Sequence, residues 1–149
     1  MEFNDLEVSK ASVLLQLKHP ATREPLWAKE PVFDAEGVKI EEGDPVGVYI
    51  FSTDSDQYQK RKKALLNMRL ENAQKNNAKK PTADDVFREE QLTIAACIDR
   101  FHNVDLDGEP LKDNRGKFVE FLIRFTWAKE QIDFAMADRG LFIAASSTT

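Results

Sequence analysis

The stretch "VGVYIFSTDSDQYQKRKKALLNMRL", residues 46–70, decides the fold, because the spacing of its apolar residues changes midway. Val46 to Phe51 is rich in β-branched and aromatic residues, which favour a strand. Thr53 and Asp54 come next, and either side chain can accept a hydrogen bond from the first amides of a helix. Beyond them the apolar residues recur at helical spacing: Tyr58, Leu65, Leu66, Met68 and Leu70. The stretch therefore predicts a strand followed by a long helix.

Upstream of this stretch, residues 11–51 predict a small antiparallel sheet. Val13, Leu15 and Leu17 alternate with Leu14, Gln16 and Lys18, which is typical of a strand with one better-buried face. The strand candidates are Val13 to Leu17, Val38 to Ile40, Val46 to Phe51 and, with a weaker pattern, Lys29 to Phe33. Three or more strands allow such a sheet to be stable.

Downstream, a polar linker at residues 73–81 ends at Pro81, which cannot continue a helix. Thr82 and Asp85 then come close to a capping box, and we expect the helix that they open to reach Phe101. Two further helical patterns follow, the second capped by Thr126. The prediction is one α+β domain over residues 1–149. It has a strand-rich part (11–51), a helical part (53–143) with a bundle of about four helices, and a frayed tail (144–149).

Composition indicates a soluble protein of ordinary type. The 149 residues are 42% hydrophobic and 32% charged, which suits one globular domain. No apolar run approaches the length of a membrane span, which needs about 18 residues. The first residues, "MEFNDLEVSK", are acidic and lack the apolar segment of a signal peptide. We therefore expect a cytosolic protein with no membrane partner.

Charge is distributed unevenly. Lys60 to Lys80 contains eight basic residues and one acid, so this segment carries +7. Since the net charge is −5, the rest of the chain carries −12. Such asymmetry favours oriented contacts with a partner or self-association. Lys60 to Lys63 wrap around the helix, and only Tyr58 offers a nearby stacking surface. A solvated face is thus favoured first, an acidic protein surface second and nucleic acid last, and we expect no nucleic-acid partner.

Catalytic patterns are nearly absent. His19 lies in a turn and His102 at a predicted helix end, and the chain has no Gly-rich phosphate loop, nucleophile elbow or H-E-x-x-H motif. Cys97 is the single cysteine and stands among apolar residues, where a thiol packs like a small hydrophobe. We expect a protein that is not an enzyme and that needs no cofactor.

The segment "NVDLDGEPLKDN", residues 103–114, imitates an EF-hand calcium loop. Asn103, Asp105 and Asp107 take positions one, three and five, and Gly108 takes the sixth. Position twelve is Asn114, which cannot supply the two oxygens of the usual glutamate. An Asp107-Gly108 turn between two helices is therefore favoured over a calcium sensor, and we predict no metal site.

The segment "TWAKEQIDFAMADRGLF", residues 126–142, has more aromatic surface than one narrow helical stripe needs. Either all of its aromatics are core, or some contact a partner, as exposed aromatics commonly do. We predict Trp127, Phe134 and Phe142 as partner contacts with Gln131 and Asp138 as their polar rim. The other large aromatics are assigned to the core, namely Tyr58, Phe87 and Phe101.

Three blocks of sequence, in this order, resemble one known family of proteins. The first is "LKHPATREPLW" (17–27), a strand and turn; Arg23 stands where that family commonly has glycine, and "DAEGVKIEEG" (34–43) is an insertion. The second joins "DSDQYQKRKKALLNMRLENAQKN" (54–76) to "REEQLTIAACIDRFHNVDLDGEPL" (88–111). The third is the C-terminal segment, through Trp127, Gln131, Ile132, Asp133, Asp138, Arg139 and Phe142.

Together these blocks resemble the tail assembly chaperones of long-tailed phages. The resemblance implies a protein that binds the helical tape measure protein in the host cell cytoplasm and keeps it soluble during tail tube assembly. It also implies absence from the mature virion. A frameshifted, extended form in this family is thought to recruit the tail tube protein. The alternative from another class is a structural virion component of the tail-completion or neck type.

Overall fold

The computed structural model describes residues 1–75, 80–112 and 114–147. Its α+β architecture, with antiparallel sheets in the N-terminal part and helices in the C-terminal part, confirms the predicted fold class. The strands are β1 (Val13–Gln16), β2 (Trp27–Lys29), β3 (Val32–Phe33), β4 (Lys39–Glu41), β5 (Asp44–Pro45), β6 (Gly47–Ile50), β7 (Ile98–His102), β8 (Asp105–Leu106) and β9 (Glu109–Pro110). The helices are a 3-10 turn at Phe3–Leu6, α1 (Asp56–Gln74), α2 (Ala83–Ala96), α3 (Arg115–Arg124), α4 (Thr126–Met136) and α5 (Arg139–Ser147).

The central sheet has the strand order β1-β6-β7 and is antiparallel throughout. Its third strand, β7, comes from the segment predicted to be the end of a helix, which corrects that prediction. Ile98 and Phe101 are three residues apart, a spacing typical of one helix face. A register shift against β6 brings both of them into the core from a strand instead.

The other N-terminal strands do not join this sheet. They form two-stranded ribbons, β2 with β5 and β3 with β4. The prediction that all strands of residues 11–51 form one sheet is therefore wrong, since β1 and β6 are in the central sheet and the other four strands form the two ribbons. Pro25, Pro31 and Pro45 flank or occupy these ribbons, and a proline cannot donate to a ladder of hydrogen bonds.

The core lies between the central sheet and helices α2 to α5 as one hydrophobic cluster. Phe101 is its aromatic centre, with ring centroids 5.0 Å from Phe118 and 4.8 Å from Phe121 in edge-on geometry. Phe118, Leu122, Ile132 and Phe142 are fully buried. The assignment of Phe101 to the core is confirmed.

Helix α1 contributes no buried residue, although it is 19 residues long. It begins after Ser55, whose side chain accepts a hydrogen bond from the Tyr58 amide at 3.2 Å. The cap is thus Ser55 and not Thr53 or Asp54. Of the predicted linker, residues 76–79 lie outside the described residues. Thr82 and Asp85 form the capping box of α2 as predicted.

The C-terminal segment forms two helices instead of one, because the chain leaves helical geometry at Ala137 and Asp138. Thr126 is the first residue of α4 and makes no capping bond, contrary to prediction. The described part of the chain therefore has five α-helices. Helix α5 continues to Ser147, so the predicted frayed tail does not begin at residue 144; alanine, which occupies residues 144 and 145, is the strongest helix former. Residues 148 and 149 lie outside the described residues.

None of the described helices combines the length and apolar character that a membrane crossing requires.

Candidate protein-binding surface

The five residues predicted to bind a partner are distributed over three environments. Trp127 is half-buried on α4, packs against the core, and lies edge-on to Phe125 with ring centroids 6.4 Å apart. Only part of its indole is available to a partner. The inward face of α4 is instead formed by Ala128, Ile132, Ala135 and Met136.

Gln131 is half-buried and acts as a clip to the backbone of Lys18. Its side-chain oxygen accepts a hydrogen bond from the Lys18 amide at 2.8 Å, and its Nε2 donates to the Lys18 carbonyl at 2.9 Å. One primary amide thus pairs with both backbone groups of a residue just beyond β1. These bonds use one lone pair and one N–H of the side chain, and the role of Gln131 as polar rim of a partner site stays a prediction.

Phe142 is misassigned, because its side chain is fully buried. The break at Asp138 starts a new helix, and aspartate is a favourable residue directly before a helix. Helix α5 then packs against β1, which carries Phe142 into the core. A continuous helix from Thr126 would not have made this turn.

Phe134 on α4 and Asp138 just beyond its end are exposed as predicted, and Phe134 has 78% of its surface accessible. Glu130 and Asp133 on the same helix, and Asp138 after it, place carboxylates within four residues of this ring. The pKa of the Asp133 carboxyl is raised, first by partial desolvation and second by the negative charge of Glu90 on α2. The face is therefore one exposed ring in an acidic setting.

A second apolar surface, which sequence reasoning missed, lies between α2 and α3. Val86 is 49% exposed, Phe87 45% and Ile123 47%. The assignment of Phe87 to the core is therefore wrong. A signal was present in the sequence, since Val86 and Phe87 are adjacent and lie about 100° apart on a helix, too far for both to face one narrow core stripe.

This second surface is concave. A groove of about 430 Å³ runs between the two helices. Its wall is formed by Phe87, Arg88, Leu92, Arg115, Gly116, Val119 and Ile123. We refer to it as the α2–α3 groove. Its volume lies within the range of small binding sites in proteins.

Helix α1 also exposes apolar side chains, with Leu66 57% exposed, Met68 43% and Leu70 53%. Leu66 and Leu70 share one face of the helix. Lys62 and Lys63 lie one turn before Leu66, and Arg69 precedes Leu70. Arg69 joins α1 to α2 through an ion pair with Glu89, with 3.0 Å between Nη2 and the carboxylate oxygen. Helix α1 therefore presents a basic face with apolar residues, while α4 presents an acidic one.

The residues considered for chemistry are used structurally. Cys97 is fully buried, and desolvation raises the pKa of its thiol to about 12, so its assignment to packing is confirmed. His19 accepts hydrogen bonds at Nδ1 from the amides of Ala21 and Thr22 and holds a turn. His102 lies in β7, not at a helix end, and its Nε2 is 2.9 Å from Asp44 Oδ1. That bond lowers the pKa of the Asp44 carboxyl.

The EF-hand imitation forms a hairpin between β8 and β9. Asp107 and Gly108 make its turn with φ angles of 54° and 84°, so the predicted turn exists but joins strands, not helices. The segment is entered from β7, where an EF-hand has a helix. Arg124 binds the Asp107 carboxylate at 3.1 and 3.2 Å. In the described ranges, no cluster of three or more His, Cys, Asp or Glu side chains is arranged to hold a metal ion.

Comparison with protein-family models, with curated proteins and with solved structures finds no match to this chain.

Proposed function

We propose that this chain is a tail assembly chaperone of a long-tailed phage, which binds the tape measure protein and keeps it soluble during tail tube assembly. The three sequence blocks that resemble this family support the proposal. The structural observation that carries it is the exposure of large apolar side chains on several helices: Leu66, Met68 and Leu70 on α1, Val86 and Phe87 on α2, Ile123 on α3 and Phe134 on α4.

Exposed apolar surface of this extent suits a protein that covers the apolar surface of another. A helical client presents apolar stripes at a spacing of three to four residues, and such stripes dock along helices and grooves. Each Å² of apolar surface that the two proteins remove from water contributes roughly 25 cal/mol of favourable free energy. Because no covalent step is involved, the client is released when tube subunits compete for the same stripe.

The proposal has consequences for location and partners. The protein acts in the host cell cytoplasm and is absent from the mature virion. An extended, frameshifted form would add contact with the tail tube protein. The basic α1 face and the acidic α4 face also provide opposite charges for self-association along a client.

Co-expression with a tape measure protein encoded beside it tests the proposal directly. We expect the tape measure protein to become soluble only when the chain is present, and to co-purify with it. A tape measure protein that is equally soluble alone, or that never co-purifies, contradicts the proposal. Protein analysis of purified particles provides the second test, because a structural tail-completion or neck component would be found there.

A further inference from the structure

The α2–α3 groove combines an apolar wall with two cationic side chains. Phe87, Val119 and Ile123 supply apolar surface, while Arg88 comes from α2 and Arg115 from α3. No carboxylate is among the lining residues. A groove of this composition is suited to a ligand that carries apolar groups and negative charge together.

Arg115 is held rigidly in this wall. Its Nη1 donates hydrogen bonds to the carbonyl oxygens of Ala95 and Ile98, the latter at 2.6 Å. These bonds fix the guanidinium beside the C-terminal end of α2. Its Nε and Nη2 donors bond to no group of the described chain, which leaves the part of the fork that binds a carboxylate strongly.

Arg88 is the second cationic side chain of the groove. It is exposed on α2 and forms no ion pair with the described residues. By contrast, Arg69 and Arg124 are already paired with carboxylates. The positive charge at the groove is therefore available to a partner, and the guanidinium of Arg115 needs little reorganisation to use it.

The chain itself offers poor occupants for this groove. The apolar residues of α1 lie among basic side chains, which Arg88 and Arg115 would repel. The acidic face of α4 has the right charge, but it presents one large apolar side chain, Phe134. A single ring leaves much of a groove of about 430 Å³ unfilled.

We propose that the α2–α3 groove binds an acidic amphipathic helix of a partner protein, with two or three apolar side chains against Phe87, Val119 and Ile123 and a carboxylate on Arg115. The inference deepens the proposed function and rests on it only for the partner being a helical protein. It adds a requirement for client segments: glutamate or aspartate within one turn of the apolar anchors.

A pair of designed peptides tests this inference. Both are helical and carry leucine at positions i, i+4 and i+7; one has glutamate and the other lysine at the flanking positions. Binding to the full chain is measured by fluorescence anisotropy at low and at physiological salt. We expect the glutamate peptide to bind about tenfold more tightly than the lysine peptide, with a difference that shrinks as salt rises.

Variants locate the binding site. Ile123→Glu and Arg88→Glu alter exposed positions of the groove. We expect each to lower the affinity for the glutamate peptide by about tenfold, because each adds negative charge where the peptide carboxylates lie. Lys117→Glu makes the same charge change as Arg88→Glu, but on α3 outside the groove, and should alter affinity less than about twofold. Circular dichroism confirms that each variant is folded.

Three results overturn the inference. The first is equal binding of the two peptides, and the second is groove variants that bind the glutamate peptide as well as Lys117→Glu does. The third is a chain that alone forms oligomers in sedimentation, which Ile123→Glu dissociates. In that case a second copy of the chain occupies the groove. Co-purification of a tape measure protein without binding of the glutamate peptide defeats this inference alone. Peptide binding without co-purification defeats the proposed function alone.

Discussion

Gln131 and Lys18 are joined by two hydrogen bonds across 113 residues of sequence, so that one amide side chain pairs with both backbone groups of the other residue. The bond from the Lys18 amide is 2.8 Å and the bond to the Lys18 carbonyl is 2.9 Å. This pair connects α4 to the segment that leaves the central sheet. It replaces the hydrogen bonds that a neighbouring strand would otherwise provide at this point of the backbone.

Replacing Gln131 by alanine should lower the free energy of unfolding by about 1 kcal/mol, because two hydrogen bonds are lost and water becomes the partner of the exposed Lys18 backbone groups. Urea denaturation measures the change. Glu130→Ala is the matched control on the exposed side of α4 and should change stability by less than about 0.5 kcal/mol. Equal effects of the two substitutions would show that the clip contributes nothing.

Phe134 and Phe142 should separate binding from stability. Phe142→Ala removes a fully buried ring and should cost about 3–5 kcal/mol in unfolding experiments. Phe134→Ala alters a ring that is 78% exposed and should leave the thermal midpoint nearly unchanged. In the tape measure co-purification assay, Phe134→Ala should reduce recovery of the client. Full recovery would remove Phe134 from the binding surface.

Arg23 has φ of 62°, in the left-handed region that residues with a Cβ atom adopt at a cost. Its amide donates to the His19 carbonyl at 2.9 Å, which holds this conformation in a tight turn. Arg23→Gly should therefore raise the free energy of unfolding by about 1 kcal/mol. Arg23→Ala keeps the Cβ atom and serves as the control. A gain with alanine equal to that with glycine would exclude backbone strain as the cause.

Gln91 is fully buried on α2, and neither its Oε1 nor its Nε2 has a hydrogen-bond partner among the described residues. Burying an unpaired amide is costly. Gln91→Met keeps the side-chain length and removes both polar atoms. We therefore expect the free energy of unfolding, measured by thermal denaturation, to rise by about 1 kcal/mol. Gln91→Glu should destabilise at neutral pH, since it places a charge at the same position. Loss of stability in the methionine variant would contradict this account.

The Asp54–Arg139 pair predicts a contribution to stability that depends on pH. Arg139 donates to both carboxylate oxygens, at 2.7 and 3.2 Å, and this bonding lowers the pKa of Asp54 below its ordinary value of 3.8. The stabilisation is therefore present above pH 3.8 and is lost as the pH falls through the lower, folded-state pKa.

Asp54→Asn should remove that contribution and leave a shallower loss of stability at acid pH. Because the Arg139 side chain is exposed, the difference at neutral pH should be small and should shrink in high salt. Chemical denaturation from pH 2 to pH 7 measures it. Parallel curves for the variant and the natural chain over that range would contradict the assignment.

Sequence reasoning was reliable where local patterns and local chemistry act alone. The capping box of Thr82 and Asp85 depends on two side chains three residues apart, so it could be read directly. The burial of Cys97 followed from apolar neighbours on both sides of it. Prediction from sequence was unreliable where one pattern fits two structures. The spacing of Ile98 and Phe101, for example, suits either a helix face or a strand with a register shift.

The candidate site was predicted in part. Phe134 and Asp138 are exposed as expected, whereas Phe142 is buried and Gln131 is half-buried and bonded to Lys18. The α2–α3 groove was missed, because its wall is shared by two helices about thirty residues apart in sequence. A periodic pattern identifies the apolar face of one helix, and it does not reveal which faces meet.

The sequence by itself determined the α+β class, the long helix after residue 55 and the separation of basic from acidic segments, since these depend on residue type and local spacing. Tertiary structure alone decided that residues 98–102 complete the central sheet and that α5 turns Phe142 inward. It also decided which aromatics stay exposed. The physical reason is that an apolar side chain is driven out of water without preference for a particular neighbour, so the choice of neighbour depends on how whole elements pack together.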